Sequence, residues 1–318
     1  MTQPTNDSSV CLPSSMGPAI GIDLGGTKTE VAAIDSSGRV CFRQRCATPA
    51  TEGPEAIRQA IVGLFVAARV SLGSEAQGRL VVGMGTPGSI DLDSGVLRNS
   101  NTLCLNGLRI QEWIASAIGQ PVVVENDANC FALAEATLGA GKGSRVLFGV
   151  ILGTGCGAGL VVDERLHIGP NRLAGEWGHL SIEPEGPLCW CGQRGCLETL
   201  VSGSGLSARW LERTGEQRSA RAILSDASPE NRIFTEQWIA HLCRGLKGVV
   251  QTIDPDAIVL GGGLSNHPGL AQAIGRGLAG ALFGSEDCRT PVLANGLGDS
   301  AGVLGAALHA RQIRWPVG

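Results

Sequence analysis

Two glycine-rich hairpins set 128 residues apart constrain the fold of this chain more than any other feature. Gly21-Ile-Asp-Leu-Gly25 and Gly149-Val-Ile-Leu-Gly153 align without a gap, pairing Gly21 with Gly149, Leu24 with Leu152, Gly25 with Gly153 and Asp35 with Asp163. Between the matches, Val31–Ile34 faces Gly159–Val162. In both copies apolar and β-branched residues flank small turn residues, which predicts strand, tight turn, strand. A duplicated hairpin predicts two lobes built on one plan.

Strand and helix patterns alternate around these hairpins. Pro54–Val70 carries Ile57, Ile61, Leu64 and Phe65 near helical spacing. Ile110–Ile118, Ala128–Leu138 and Ser300–Ala310 read as further helices, and more helices run to about Val250. Leu80–Met84, Pro121–Val124 and Ala257–Leu260 read as strands, and the stretch from His167 to Gly205 is rich in loops. The alternation predicts an α/β protein with helices covering sheets. The expected division is a polar, disordered tail over 1–17, an N-terminal lobe of 18–127 with 300–318, and a C-terminal lobe of 128–299. Met16 is an alternative start.

Composition narrows the function classes. The 47 glycines among 318 residues show no G-x-y period, which excludes collagen. A net charge of −4, with 25 basic residues that form no run, argues against a nucleic-acid partner. The apolar stretches are too short to span a bilayer, and no Lys or Arg precedes Lys28 to open a secretory signal. Eleven cysteines are too sparse for a disulfide framework in a chain of this length. A cytoplasmic protein without a membrane partner is expected.

Three glycine-rich turns follow apolar strands: Gly25-Gly26-Thr27-Lys28, Gly153-Thr154-Gly155 with Cys156 and Gly157, and Gly261-Gly262-Gly263. Without a Cβ the main chain can approach an anion, so such turns suit phosphate, although one alone is more often a tight hairpin. The P-loop pattern fails because Thr27 precedes Lys28-Thr29. A dinucleotide fingerprint is met loosely by Gly153, Gly155 and Ala158, but the following Gly159–Asp163 reads as a strand where a helix should open. Paired hairpins facing one another across a cleft remain. Cys189, Cys191 and Cys196 lie within eight residues, and with His179 they offer three thiolates and an imidazole. That set suits a closed, structural Zn²⁺, whereas the spacing alone is equally compatible with free buried thiols. Cys156 reads as a small filler.

Asp23-Leu-Gly-Gly-Thr-Lys28, Leu152-Gly-Thr-Gly155 and Val259-Leu-Gly-Gly-Gly263 resemble the phosphate and adenosine turns of the two-lobed actin, Hsp70 and hexokinase ATPase fold, with its ribonuclease H-like lobes. Glu176-Trp-Gly-His179, followed by Cys189-Trp-Cys191-Gly-Gln-Arg-Gly-Cys196-Leu-Glu198, resembles the hallmark of the ROK family of sugar kinases and sugar-responsive repressors. The likeness runs from Ile20 to about Ala310. Trp177 and the Gly153–Gly159 turn look most similar to the fructokinase branch.

The resemblance implies ATP-dependent phosphorylation of a hexose, fructose in first place, with N-acetylglucosamine or glucose as the alternative. It implies Asp127 as general base and Asn126 beside it on a sugar hydroxyl. Glu176, His179 and Glu198 would take further hydroxyls, with Gly88 and Asn101 closing the sugar site. Asp23 would make an outer-sphere contact to Mg²⁺, and the three glycine turns, with Thr27, Lys28 and Thr154, would hold ATP. His179, Cys189, Cys191 and Cys196 would bind Zn²⁺ in a zinc loop over 179–198, and a homodimer is in keeping with the family. From the residues alone Asp127 reads as a helix N-cap, and Asp23 equally as a turn-stabilising aspartate or as the Mg²⁺ contact. Asp299 reads as a cap for the last helix. A repressor is disfavoured, because about 19 residues before Ile20 are too few for a helix-turn-helix domain. A zinc-dependent oxidoreductase is opposed by the strand after Gly159.

Overall fold

The computed structural model describes residues 17–313 except 79, 92, 285 and 286. Residues 1–16 of the expected tail, Met16 among them, and 314–318 lie outside the described residues. Two compact units are present, one running to Ala134 and resuming at Asp299, the other spanning Glu135–Gly298.

In chain order the first unit holds β1 (Ala19–Leu24), β2 (Lys28–Ile34), β3 (Val40–Ala47), α1 (Pro54–Ser71), β4 (Val81–Thr86), a short pair β5 (Ser89–Ile90) and β6 (Leu97–Arg98), α2 (Ile110–Ile118), β7 (Val122–Asn126) and the start of α3 (Asp127–Thr137). The second holds β8 (Val146–Leu152), β9 (Cys156–Val162), β10 (Arg165–Leu166), α4 (Leu197–Val201), α5 (Gly203–Thr214), α6 (Ala220–Ser225), α7 (Pro229–Ile253), β11 (Ala257–Gly261), α8 (Leu270–Leu278) and β12 (Val292–Ala294). The chain then returns to the first unit as α9 (Ala301–Gln312).

The duplication seen in the sequence is a duplication of sheets. The first sheet is ordered β3-β2-β1-β4-β7 and the second β10-β9-β8-β11-β12. In each, the hairpin is antiparallel and its first strand pairs in parallel with a later strand. β2 and β9 are both seven residues long and start 128 positions apart, so the offset survives through both hairpins. β3 was absent from the sequence expectation. Its residues Val40-Cys-Phe-Arg-Gln-Arg-Cys-Ala47 mix apolar side chains with three polar ones and are all half-exposed or exposed, as an edge strand allows.

Each unit has its own buried core. Ile20, Ile22, Val31, Ile57, Phe65, Val82 and Ile114 belong to the first, and Phe148, Val150, Trp177, Leu197, Trp238, Leu246 and Ile258 to the second. Helix α9 lies directly on β1 and β4 because glycines remove the side chains between them. A Cβ on Gly21 would overlap the Val303 carbonyl oxygen, and one on Gly83 the Ala306 carbonyl oxygen.

Candidate active site

In the first unit the expected residues gather at the C-terminal ends of the parallel strands, where open α/β sheets bind ligands. Asp23 is the penultimate residue of β1, and Asn126 ends β7. Burial, reinforced by the nearby Asp127 and Glu30 carboxylates, pushes the Asp23 carboxyl up to about 7. Asn126 Nδ2 donates to the Gly88 carbonyl at 2.9 Å, and its Oδ1 accepts from the Ala128 N–H at 2.8 Å. Asn126 thus occupies the N-cap position that the sequence suggested for Asp127. Asp127 opens α3 half-buried, and its Oδ1 accepts from the same Ala128 N–H at 2.9 Å.

Gly88 has φ +95°, and a side chain there would overlap the Arg98 carbonyl and crowd Ser100, so the backbone leaving β6 packs directly against it. Asn101 approaches the first glycine turn, with its Oδ1 only 3.1 Å from where a Cβ of Gly26 would lie. That turn is closed by Gly25 N–H donating to the Lys28 carbonyl at 3.0 Å, while the Thr27 carbonyl accepts from Thr48 N–H. Lys28 Nζ is engaged by Asp299 Oδ2 at 2.9 Å, which Arg45 also reaches at 3.3 Å. Asp299 makes no cap. Ser300 stands at the N-cap position of α9, and Asp299 serves as a counter-ion to the hairpin instead.

Glu125 went unrecognised in the sequence. It is buried just before Asn126, and its Oε1 accepts from Asn126 N–H at 2.9 Å and from Asn129 Nδ2 at 3.0 Å. Its Oε2 lies 3.6 Å from His309 Nε2 of α9. A carboxylate ending an apolar run, Val122–Val124, was the available signal.

In the second unit the other two glycine turns meet. Gly262 has φ +83°, and a Cβ there would press on the Leu152 carbonyl, which accepts from Leu264 N–H at 3.0 Å. Gly153 N–H closes its turn on the Gly155 carbonyl at 3.0 Å. The Gly153 and Thr154 carbonyls accept from Gly203 and Ser204 N–H at the start of α5. Gly261 ends β11. Gly263 lines a cavity of about 590 Å³ with Leu264, Leu224, Thr235, His267 and the cations Arg221 and Arg232. None of these six partners of Gly263 was singled out from the sequence.

Glu198, in the first turn of α4, joins the Gly153 turn to the cysteine loop. Its Oε2 accepts from Cys156 N–H at 3.0 Å, and its Oε1 from Trp190 Nε1 at 2.7 Å. Burial raises the Glu176 carboxyl, opposed by His179 and reinforced by Glu198. Burial also drives the Cys156 thiol well up, in keeping with an inert filler.

The four expected metal ligands converge. Their ligand atoms all lie within 4.8 Å of one another. Cys189 Sγ is 3.7 Å from His179 Nδ1, and Cys191 Sγ is 3.5 Å from Cys196 Sγ. His179 Nε2 points the other way, 4.0 Å from Glu176 Oε2. Burial, with the neighbouring thiols, pushes Cys196 up to about 12, whereas N–H donation from Gln193 lowers Cys191. Gly195 has φ +65°, and a Cβ there would overlap the Glu183 carbonyl, so the loop turns where only glycine fits. The ten described cysteines form no disulfide.

Two sheets of one strand order, each opened by a glycine-rich hairpin, define the class of ATPases with the hexokinase-like fold. The ROK family model matches residues 19–313. The chain belongs to the ROK family and is a sugar kinase within it. Among curated relatives, an N-acetylgalactosamine kinase of Shewanella sp. (strain ANA-3) is 34% identical, covering 91% of this chain and 95% of its own. An N-acetyl-D-glucosamine kinase of Photobacterium profundum is 34% identical over 90% and 97%. A glucokinase of Streptomyces coelicolor is 33% identical over 93% and 98%. The ROK hexokinase structure from Thermus thermophilus has a TM-score of 0.79 at 32% identity, covering 92% of this chain and 97% of that one. A Streptomyces griseus ROK glucokinase, solved with glucose and AMPPNP, has a TM-score of 0.74 at 30% identity, covering 93% and 100%.

These relatives do not support the fructokinase branch, and the alternative of an N-acetylglucosamine kinase or glucokinase fits them better. Trp177, one basis for expecting fructose, is 3% exposed, packs edge-on against Phe148 and abuts Gly245 in the core. It fills space and has no face to offer a sugar. No helix among the described residues is long and apolar enough to cross a membrane.

Proposed function

We propose that the protein transfers the γ-phosphoryl group of ATP to the primary hydroxyl of an N-acetylhexosamine, with glucose as the second reading. The observation that carries the sugar reading is the corner formed by Glu176, His179 and Glu198, three acceptor or donor groups gathered around the cysteine loop. Names of the matched relatives support the choice of sugar. The cavity beside Gly263 supports nucleotide binding, because it offers apolar walls and two arginines next to a glycine turn.

In this reading Asp127 accepts the proton of the attacking hydroxyl as the new O–P bond forms and ADP leaves with the electron pair of the old one. Asn126, fixed by Gly88, orients a neighbouring sugar hydroxyl, and Asn101 closes over the site. Main-chain N–H groups of the Gly25-Gly26-Thr27 turn serve as donors to phosphate, with Lys28 as the nearby cation, and the Gly153-Thr154-Gly155 turn offers donors of the same kind. The buried Asp23 carboxyl, with Asp127 and Glu30 beside it, fits a site that receives a cation, and Mg²⁺ held there would supply charge neutralisation on the phosphates.

The cysteine loop fits a structural Zn²⁺. Three thiols and an imidazole nitrogen at this separation match a tetrahedral set with no position left for water. His179 would bind through Nδ1, leaving its Nε2–H to Glu176 or to the sugar. Zinc supplies order there and takes no part in the transfer.

The test is coupled ADP release over N-acetylglucosamine, N-acetylgalactosamine, mannose and glucose, run with wild type and Asp127→Ala. The variant is expected to lose about 10²–10⁴-fold in kcat while still binding ATP. Near-normal turnover would remove Asp127 from the role, and failure to release ADP with any of these sugars would overturn the function.

A further inference from the structure

The cysteine loop carries one side chain that neither the metal site nor the transfer uses. Trp190 stands between Cys189 and Cys191 with its indole 62% exposed, while Trp177, Trp210 and Trp238 are all buried in the core. An exposed indole is a large apolar surface left in water, and this one is not loose. Its Nε1 donates to Glu198 Oε1 at 2.7 Å, and its ring meets the His179 ring edge-on, with centroids 4.8 Å apart and planes at 88°. The backbone beneath it is pinned by Gly192 N–H donating to the Cys189 carbonyl and by Cys189 N–H donating to the Gln193 carbonyl. The indole is therefore a fixed wall beside two of the groups assigned above to the sugar.

The wall has a chemical preference. Glu198 already receives one N–H on each oxygen, from Cys156 and from Trp190, and each oxygen keeps a lone pair for a sugar hydroxyl. Beside those polar acceptors the largely exposed ring adds apolar surface. At the 2-position a hydroxyl offers such a face no apolar group, whereas the methyl of a 2-acetamido group does.

We infer that Trp190 is a substrate-contacting, specificity-determining residue whose indole packs against the acetamido methyl of an N-acetylhexosamine and so favours it over the 2-hydroxy sugar. This rests on the reading of Glu198 and His179 as sugar contacts. An apolar contact of one methyl discriminates by roughly 10-fold or more.

The experiment compares kcat/KM for N-acetylglucosamine and for glucose in wild type, Trp190→Ala, Trp190→Phe and Glu198→Gln. KM for ATP and bound zinc are measured in each. Trp190→Ala should cut the N-acetylglucosamine to glucose ratio about tenfold, with ATP KM and zinc content unchanged. Trp190→Phe keeps the apolar face but loses the N–H, so it should preserve the ratio while raising KM for both sugars. Equal losses on both sugars with loss of zinc would make Trp190 a loop-ordering residue and overturn the inference. An unchanged ratio in Trp190→Ala, or a wild type that phosphorylates glucose but does not favour N-acetylglucosamine, would overturn it as well. If Glu198→Gln leaves sugar KM untouched, the failure lies with the reading of the sugar corner itself, and the inference falls with it.

Discussion

Asp23 stands near the end of β1, where burial disfavours its ionisation and the neighbouring Asp127 and Glu30 carboxylates add to the effect. Its folded-state pKa of about 7 lies above the ordinary 3.8. Between those values the folded chain keeps a proton that the unfolded chain releases, so stability falls as pH rises through that window and stays lowered above about 7. Asp23→Asn cannot ionise and escapes the penalty. In metal-free, nucleotide-free protein its melting temperature should therefore gain on wild type from pH 4 to about 7 and then level off. A constant difference across that range would show that the Asp23 charge is not held back. Residues of this kind were only partly legible in the sequence. Asp23, Asn126 and Asp127 flank glycine turns or strand ends, where chain patterns point. Glu125 is marked locally only by ending an apolar run, and its contact with His309, 184 residues further along the chain, leaves no trace in the pattern around it.

At the level of elements, one residue type acts with opposite sign in two helices' surroundings. Gly83 of β4 lies beneath α9, and an added Cβ would run into the Ala306 carbonyl with no flexible side chain to yield. Gly83→Ala should destabilise by about 1–3 kcal/mol, the usual cost of forcing extra volume into a packed interior. Gly63 sits inside α1 with nothing within 4 Å of an added Cβ. Gly63→Ala should stabilise by about 0.4–1 kcal/mol, chiefly by restricting the unfolded chain. Urea denaturation of the two single variants checks both signs, and a neutral Gly83→Ala would mean that α9 can shift on its sheet. The same elements show why some were foreseen. Helix α2 spans Ile110–Ile118, as its apolar spacing predicted, and both hairpins carry their glycines and β-branched residues in one short window. β3 was hidden because an edge strand needs no continuous apolar pattern, and β10 because two residues carry no period.

Over the whole chain, the proposed zinc and nucleotide sites can be separated by experiment, because they use different residues of the second unit. The four metal-ligand candidates lie between His179 and Cys196, and the cavity beside Gly263 is lined from Arg221 to Pro268. Zinc removal should therefore free the Glu176–His179–Glu198 corner while leaving the nucleotide cavity standing. A ligand at 100 times its Kd stabilises a folded chain by about 2.7 kcal/mol, which a melting curve resolves easily. Wild-type protein should show separate upward shifts with the preferred sugar and with a non-hydrolysable ATP analogue. After chelation, with zinc loss verified by metal analysis, the sugar shift should vanish and the nucleotide shift should remain. Retention of the sugar shift would mean that the loop's own hydrogen bonds, such as Ser181 Oγ to the Arg194 carbonyl at 2.7 Å, suffice to hold the corner. Loss of both shifts would mean that the metal supports the entire second unit, by way of Glu183, which bonds His241 and Arg244 of α7 at 2.8 and 3.1 Å.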